Sequence, residues 1–179
     1  MEIIKTSIEG LVIIQPKVFK DERGYFMESF KESFIKENFP DIHFIQDNES
    51  RSTYGVLRGL HFQKPPFEQT KLVRVIDGEV LDVAVDLRKN SPTYGKWESI
   101  VLSGENKKQF FIPKGFAHGF ITISKEAVFS YKVDNPYSKD YESGVIFNDS
   151  SLSIKWGISQ SEIIVSPKDT KLKSFTFLK

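Results

Sequence analysis

Two segments of this chain bring together the groups that proton-transfer chemistry uses. Gly55-Val-Leu-Arg58-Gly-Leu-His61-Phe-Gln63 sets one of only three histidines in an apolar, strand-like run, three residues after an arginine. Lys71 follows ten residues later, at the head of Lys71-Leu-Val-Arg-Val75. Imidazole has an ordinary pKa near neutrality, which makes His61 a candidate base. Arg58 could clamp an anion, and Lys71 could face a developing oxyanion. A base, an anion clamp and a cation are what proton abstraction from a phosphorylated carbonyl compound requires. The same residues also fit a histidine satisfied inside a β-core with solvated cations around it.

Residues 71–87 carry the clearest strand signal, with Asp77-Gly78 as a two-residue turn. A hairpin there pairs Ile76 with Glu79 and sets Lys71 opposite Ala84. Lys71, Val73, Val75, Val80, Asp82 and Ala84 then share one face, and Leu72, Arg74, Leu81, Val83 and Val85 share the other. Lys71 and Asp82 become diagonal neighbours among valines. That pattern fits a site inside a barrel, because an idle buried ion pair costs desolvation. It fits equally a sheet face that opens to solvent near its end.

A second histidine lies in Phe111-Ile-Pro113-Lys-Gly115-Phe-Ala-His118-Gly119-Phe120. A proline–glycine turn entering a histidine-bearing strand resembles the second half of a cupin barrel. Metal-binding cupins also place two histidines at alternate positions of an earlier strand. Here those positions are His61 and Gln63, and the remaining histidine, His43, lies near the N-terminal helix. With two usable imidazoles and no cysteine, no tight transition-metal site is expected. The chemistry falls to acid and base side chains.

The elements that must position these residues read as mostly β. Sixteen phenylalanines are scattered through short segments with Val, Ile and Tyr. Besides 71–87, strands are expected at 3–14, 56–62, 97–102, 109–112, 120–123, 128–133 and 144–147. Turns are expected at Asp21-Glu-Arg-Gly24, Asn90-Ser-Pro92, Ser103-Gly-Glu-Asn106 and Pro113-Lys-Gly115. One helix is expected: Ser29-Phe-Lys-Glu32 has capping-box spacing, Phe30, Phe34 and Ile35 fall on one face, and Pro40 ends it. Many short strands so punctuated predict an all-β sandwich or barrel. Without repeats or linkers, residues 1–179 are expected to form one domain. The net charge of +1 provides no global field for nucleic acid or an anionic membrane. No export signal and no run of transmembrane length is found, so a cytoplasmic location is expected.

Ten motifs in order resemble the dTDP-4-dehydrorhamnose 3,5-epimerase family. They are Asp21-Glu-Arg-Gly-Tyr-Phe-Met-Glu28, Gln46-Asp-Asn-Glu-Ser-Arg51, the His61 segment, the Lys71 segment and Val83-Ala-Val-Asp-Leu-Arg88. Ser91-Pro-Thr-Tyr-Gly-Lys-Trp97, the His118 segment, Tyr131-Lys132, Phe147-Asn-Asp149 and Ser166-Pro-Lys-Asp169 complete the set. The resemblance implies a cupin-type jelly-roll β-barrel with one or a few short helices. It also implies a cofactor-free isomerase acting on a dTDP-4-keto-6-deoxy sugar in dTDP-L-rhamnose biosynthesis. By that resemblance His61 is the base, Asp169 its dyad partner, Tyr131 the acid on the opposite ring face and Lys71 the enolate's cation. The face that Asp82 shares with Lys71 in the expected hairpin adds Asp82 as a support for His61 or Lys71.

The resemblance assigns substrate binding to Arg23, Glu28, Gln46, Asp47, Asn48, Arg58, His118, Glu142 and Lys168. Arg58, Arg23 and Lys168 are the choices for the pyrophosphate, Tyr137 for stacking on thymine, and Phe26 for lining the same pocket. It further implies a homodimer with exchanged N-terminal strands, bringing Arg23 and Glu28 to the neighbouring subunit. The chain departs from the family pattern at Asn135-Pro136-Tyr137, Ser143 and Ile154-Lys155-Trp156-Gly157. These departures touch none of the base, acid or cation, and bear on the nucleotide and the loops. A single-carbon epimerase or a 3,4-ketoisomerase on the same scaffold is the sibling activity, and a non-catalytic sugar-nucleotide-binding cupin is a third reading.

Overall fold

The computed structural model describes residues 1–178. In chain order the first strands are β1 (Glu2–Lys5), β2 (Val12–Gln15), β3 (Val18–Asp21), β4 (Gly24–Met27), β5 (Gln46–Thr53), β6 (Val56–Gln63) and β7 (Lys71–Asp77). There follow β8 (Glu79–Asp86), β9 (Trp97–Ser103), β10 (Gln109–Ile112), β11 (Phe116–Thr122), β12 (Glu126–Val133), β13 (Glu142–Gly144) and β14 (Ile164–Val165). The one α-helix among the described residues is α1 (Glu32–Asn38). One sheet runs β1-β2-β10-β7-β12-β5; the other runs β13-β6-β11-β8-β9, with β14 also paired to β6. The two sheets face each other as a cupin-like jelly roll, and β3–β4 forms a separate hairpin.

Alternation along the strands builds the layers. Val73, Val75, Val80, Ala84, Phe110, Phe116, Phe120 and Phe129 fill the space between the sheets. Leu57, Leu60, Val83, Val85 and Ile121 face outward beneath Leu152, Trp156 and Phe175 of the C-terminal segment. Leu72, Phe111 and Ile14 are covered by the aromatic face of α1, where Phe39 stacks on Phe111 at 4.0 Å. Both surfaces of the central strands are therefore covered, and every residue of β11 is buried.

Several expectations are corrected by this architecture. Residues 3–14 are two antiparallel strands, β1 and β2, rather than one; Gly10, at φ 86°, lies between them. Asp77-Gly78 is a turn but not a hairpin. β7 pairs with β10 and β12, whereas β8 pairs with β11 and β9, so the chain changes sheets at Gly78. A Cβ at Gly78 would collide with the Glu126 carbonyl. The pairs Ile76–Glu79 and Lys71–Ala84 consequently do not form, although alternation still sends Val73, Val75, Val80 and Ala84 into the inner core.

The helix starts later than its capping-box spacing predicts. Its N-cap is Lys31, in extended conformation with no side-chain cap bond. The Ser29 carbonyl instead accepts a hydrogen bond from Gln109 Nε2 at 2.7 Å, and Phe30 packs edge-on to Phe44. Those contacts keep residues 29–31 stretched across the sheet. The 144–147 strand is displaced to β13, and β3, β4, β5 and β14 were not expected.

Candidate active site

β6 carries the first two groups. In a regular strand, residues three apart point to opposite faces, so Arg58 and His61 should diverge. They do not, because the pairing of β6 with β11 slips between Arg58↔Phe120 and His61↔His118. This β-bulge contains Gly59, at φ 121°, where a Cβ would stand 2.6 Å from Gly119 Cα. The slip turns both side chains into one cavity of about 590 Å³, which Lys71, His118, Tyr131, Lys168 and Asp169 also line.

Asp169 reaches the cavity from the far end of the chain. β14 lies parallel to Val56-Leu57 of β6, and the following turn buries the carboxylate to 3% exposure. Its Oδ1 lies 2.7 Å from His61 Nε2, while Oδ2 accepts the Gly59 N–H at 3.5 Å. Burial works against the charge on Asp169, but the bonds from His61, Gly59 and Ser166 outweigh it and hold the carboxyl below the ordinary range. An ionised carboxylate only accepts, so Nε2 of His61 donates in this bond, and in the neutral ring the lone pair lies on Nδ1.

Lys71 comes from β7, on the facing sheet. Desolvation lowers its pKa to about 8, opposed by the carboxylates of Asp82 and Glu142. Asp82 is fully buried, and both of its oxygens lie 3.0 Å from His118 Nε2. Asp82 thus favours the charge on Lys71, as expected of a support, while its hydrogen-bond partner is His118, set opposite His61 across β6 and β11. Burial, then the nearby Lys71 and His61, push the His118 pKa down against the pull of Asp82, favouring neutral imidazole.

Tyr131 lies on β12, across the barrel from His61. Desolvation raises its phenol above the ordinary range, with Arg58 pulling the other way. Beside it, β5 presents Asn48, Ser50 and Ser52 inward and Asp47, Glu49 and Arg51 outward. Asn48 pairs with Tyr131 and lines the cavity, and its Oδ1 accepts a bond from Gln46 Nε2. Asp47 is turned away, accepting from Lys132 on the outer surface. Sequence reasoning missed Ser50 and Ser52; uncharged residues at 46, 48, 50 and 52 alternating with charged Asp47, Glu49 and Arg51 were the available signal.

At the rim, Glu142 Oε2 accepts from both Tyr137 Oη at 2.7 Å and Lys168 Nζ at 2.6 Å. Desolvation opposes the Glu142 charge, but these bonds keep its pKa low. Arg23, Phe26 and Glu28 are not brought to this cavity. Arg23 pairs with Asp21 within the β3–β4 hairpin, Glu28 faces Lys31, and Phe26 is 67% exposed. Among the described residues no group of three or more His, Cys, Asp or Glu could hold a metal ion, and no helix is long and apolar enough to cross a membrane.

The cavity thus opposes an oriented imidazole on one sheet to a protonated phenol on the other, with an ammonium beside them. Such a set can remove a proton from one face of a ring and return one to the other. Comparison with known proteins points the same way. A sequence model described as dTDP-4-dehydrorhamnose 3,5-epimerase matches residues 5–176. The enzyme of that name from Methanothermobacter thermautotrophicus is 53% identical over 95% of this chain and 92% of its own length. The crystal structure of the Elizabethkingia anophelis enzyme superposes with a TM-score of 0.95 at 52% identity, over 99% of this chain and 97% of that one. The Legionella pneumophila dTDP-6-deoxy-D-glucose-3,5-epimerase, solved in complex with dTDP-4-keto-L-rhamnose, also gives 0.95, at 47% identity over 99% and 94%. With its fold, its motifs and its whole length in agreement, this chain belongs to the dTDP-4-dehydrorhamnose 3,5-epimerase family.

Proposed function

We propose that this protein epimerises C3 and C5 of dTDP-4-dehydro-6-deoxy-D-glucose, giving dTDP-4-dehydro-L-rhamnose for dTDP-L-rhamnose biosynthesis. The observation that carries the reading is the placement of the His61–Asp169 pair and Tyr131 on opposite walls of one cavity. The ligand of the Legionella relative supports the same substrate class. Hydrogens on C3 and C5 are acidic because each carbanion delocalises onto the C4 oxygen. His61 Nδ1 takes the proton from one ring face, and Asp169 stabilises the resulting imidazolium. The C–H electron pair moves into a C=C bond as the C4 carbonyl becomes an enolate, which Lys71 and His118 face. Tyr131 then delivers its hydroxyl proton to the carbon from the opposite face. Proton exchange with solvent resets both groups.

For the nucleotide, Arg58 and Lys168 suit the diphosphate, since guanidinium and ammonium groups donate to phosphate oxygens. We assign Tyr137, which donates to Glu142, to stacking on the base. Arg23, Glu28 and Phe26 serve this site only if they come from a second copy, and we assign them to a homodimer with exchanged N-terminal strands. Two features support that assignment: among the described residues the β3–β4 hairpin pairs with no other strand, with Phe19, Tyr25 and Phe26 all more than half exposed, and β5 ends its sheet.

The test is incubation of the dTDP-4-keto sugar in deuterium oxide, with C3 and C5 followed by NMR. Deuterium at both carbons supports the proposal. Exchange at one carbon identifies a single-carbon epimerase, and exchange at neither identifies a binding protein.

A further inference from the structure

We infer that Ser52 is a positioning residue for the diphosphate of the nucleotide: from its buried place on β5 it holds Arg58 by Nε and aims the guanidinium into the cavity. The inference rests on the proposed meeting of Arg58 with the diphosphate. Ser52 is 5% exposed, and the one hydrogen bond of its hydroxyl among the described residues is from Arg58 Nε, at 3.0 Å. A weaker contact from Nη2 to the Arg51 carbonyl, at 3.4 Å, comes from the same strand. Together they leave Nη1 and one Nη2 hydrogen free.

A long exposed arginine without such a tether would sample many rotamers and lose that freedom on binding. The chemistry of the tether also matters. Arg51, one residue away and facing outward, is met by the Glu126 carboxylate through both Nε and Nη2. Arg58 has no carboxylate partner among the described residues. A hydroxyl orients the guanidinium without cancelling its charge, and the strand's alternation gives the neutral acceptor to the arginine that faces the cavity. Orientation and full charge together are what a dianionic diphosphate rewards.

The experiment compares Ser52→Ala, Ser52→Thr, Arg58→Ala and the double variant Ser52→Ala/Arg58→Ala. Steady-state constants are measured with the dTDP-4-keto sugar, and inhibition constants with dTDP and with thymidine, which lacks the diphosphate. Ser52→Ala is expected to raise KM and the dTDP inhibition constant about tenfold, the order expected of one hydrogen bond to a charged group. The same variant should leave kcat within about twofold and the thymidine constant unchanged, and Ser52→Thr should restore tight dTDP binding. The double variant should be no weaker than Arg58→Ala alone.

If Arg58→Ala weakens dTDP and Ser52→Ala does not, the role of Ser52 is overturned while that of Arg58 stands. If Arg58→Ala leaves dTDP binding unchanged, the underlying assignment of Arg58 fails, and this inference with it. If Ser52→Ala weakens thymidine as much as dTDP, the effect is general damage to the site and the inference is again overturned.

Discussion

His61 Nε2 and Asp169 Oδ1 lie 2.7 Å apart, although 108 residues of chain separate them. Replacing His61 with Ala should abolish deuterium incorporation at both carbons. Asp169→Asn keeps the shape but offers an amide that can drive the imidazole into the wrong tautomer, and kcat should fall by roughly 10²–10⁴. Rates of isotope exchange in the two variants check this. An Asp169→Asn enzyme as fast as the parent would remove the carboxylate from the mechanism.

Tyr131 faces His61 from the other sheet, and the proposed mechanism accordingly gives proton removal to His61 and proton delivery to Tyr131. In Tyr131→Phe, His61 should still wash deuterium into the substrate, while net inversion drops at least about tenfold. NMR of the products distinguishes exchange with retention from inversion. Unchanged inversion would take Tyr131 out of its role.

With Lys71 in its proposed role, its low pKa, about 8, predicts an alkaline limit to the reaction. The group is charged below that value and neutral above it, so stabilisation of the enolate is lost as pH rises through about 8. The Tyr131 phenol is pushed up by burial and stays protonated over the same range. We expect kcat/KM to decline with an apparent pKa near 8. Lys71→Ala should lose activity at every pH, and Lys71→Arg should flatten the alkaline limb because guanidinium does not titrate there.

Acid stability should depend on Asp86, which is fully buried at the end of β8. Burial opposes its charge, but bonds from Arg88, Ser91 and Thr93 lower its pKa to about 2. A depressed carboxyl stabilises the fold above its unfolded value, near 3.9, and loses that contribution as pH falls toward 2. The shift corresponds to about 2–3 kcal/mol at neutral pH. Asp86→Asn should cost about that much in denaturant unfolding at pH 7, with the difference from the parent shrinking between pH 4 and pH 2.

The exposed aromatic hairpin makes oligomeric state a direct readout. Light scattering should report a dimer, and Phe26→Asp should shift it toward monomer and raise KM. A monomeric parent protein would contradict the strand exchange.

The sequence by itself determined the fold class and the family, and it named His61, Lys71, His118, Tyr131 and Asp169, which the structure gathers around one cavity. Strand-forming residues, closely spaced turns and ten motifs in order were enough for that, because period-two burial and turn chemistry are local properties. It also marked the inner faces of β7 and β8 correctly while giving them the wrong partners. Alternation states which side chains share a face, but not which strand lies alongside, and the sheet crossing at Gly78 is a long-range packing outcome. β5 was missed for a physical reason. Its inward face is Asn48, Ser50 and Ser52, polar because it borders the cavity, so the apolar signal of a strand is absent where the site needs hydrogen bonds.

Only the tertiary structure decided that Arg58 and His61 point the same way, since the bulge at Gly59 exists through close contact with Gly119 on a strand some sixty residues later. Only it decided that Asp82 bonds to His118 and through which atoms Asp169 meets His61. Hydrogen bonds act over about 3 Å, and nothing in the order of residues fixes which distant groups come within that reach until the sheets have packed.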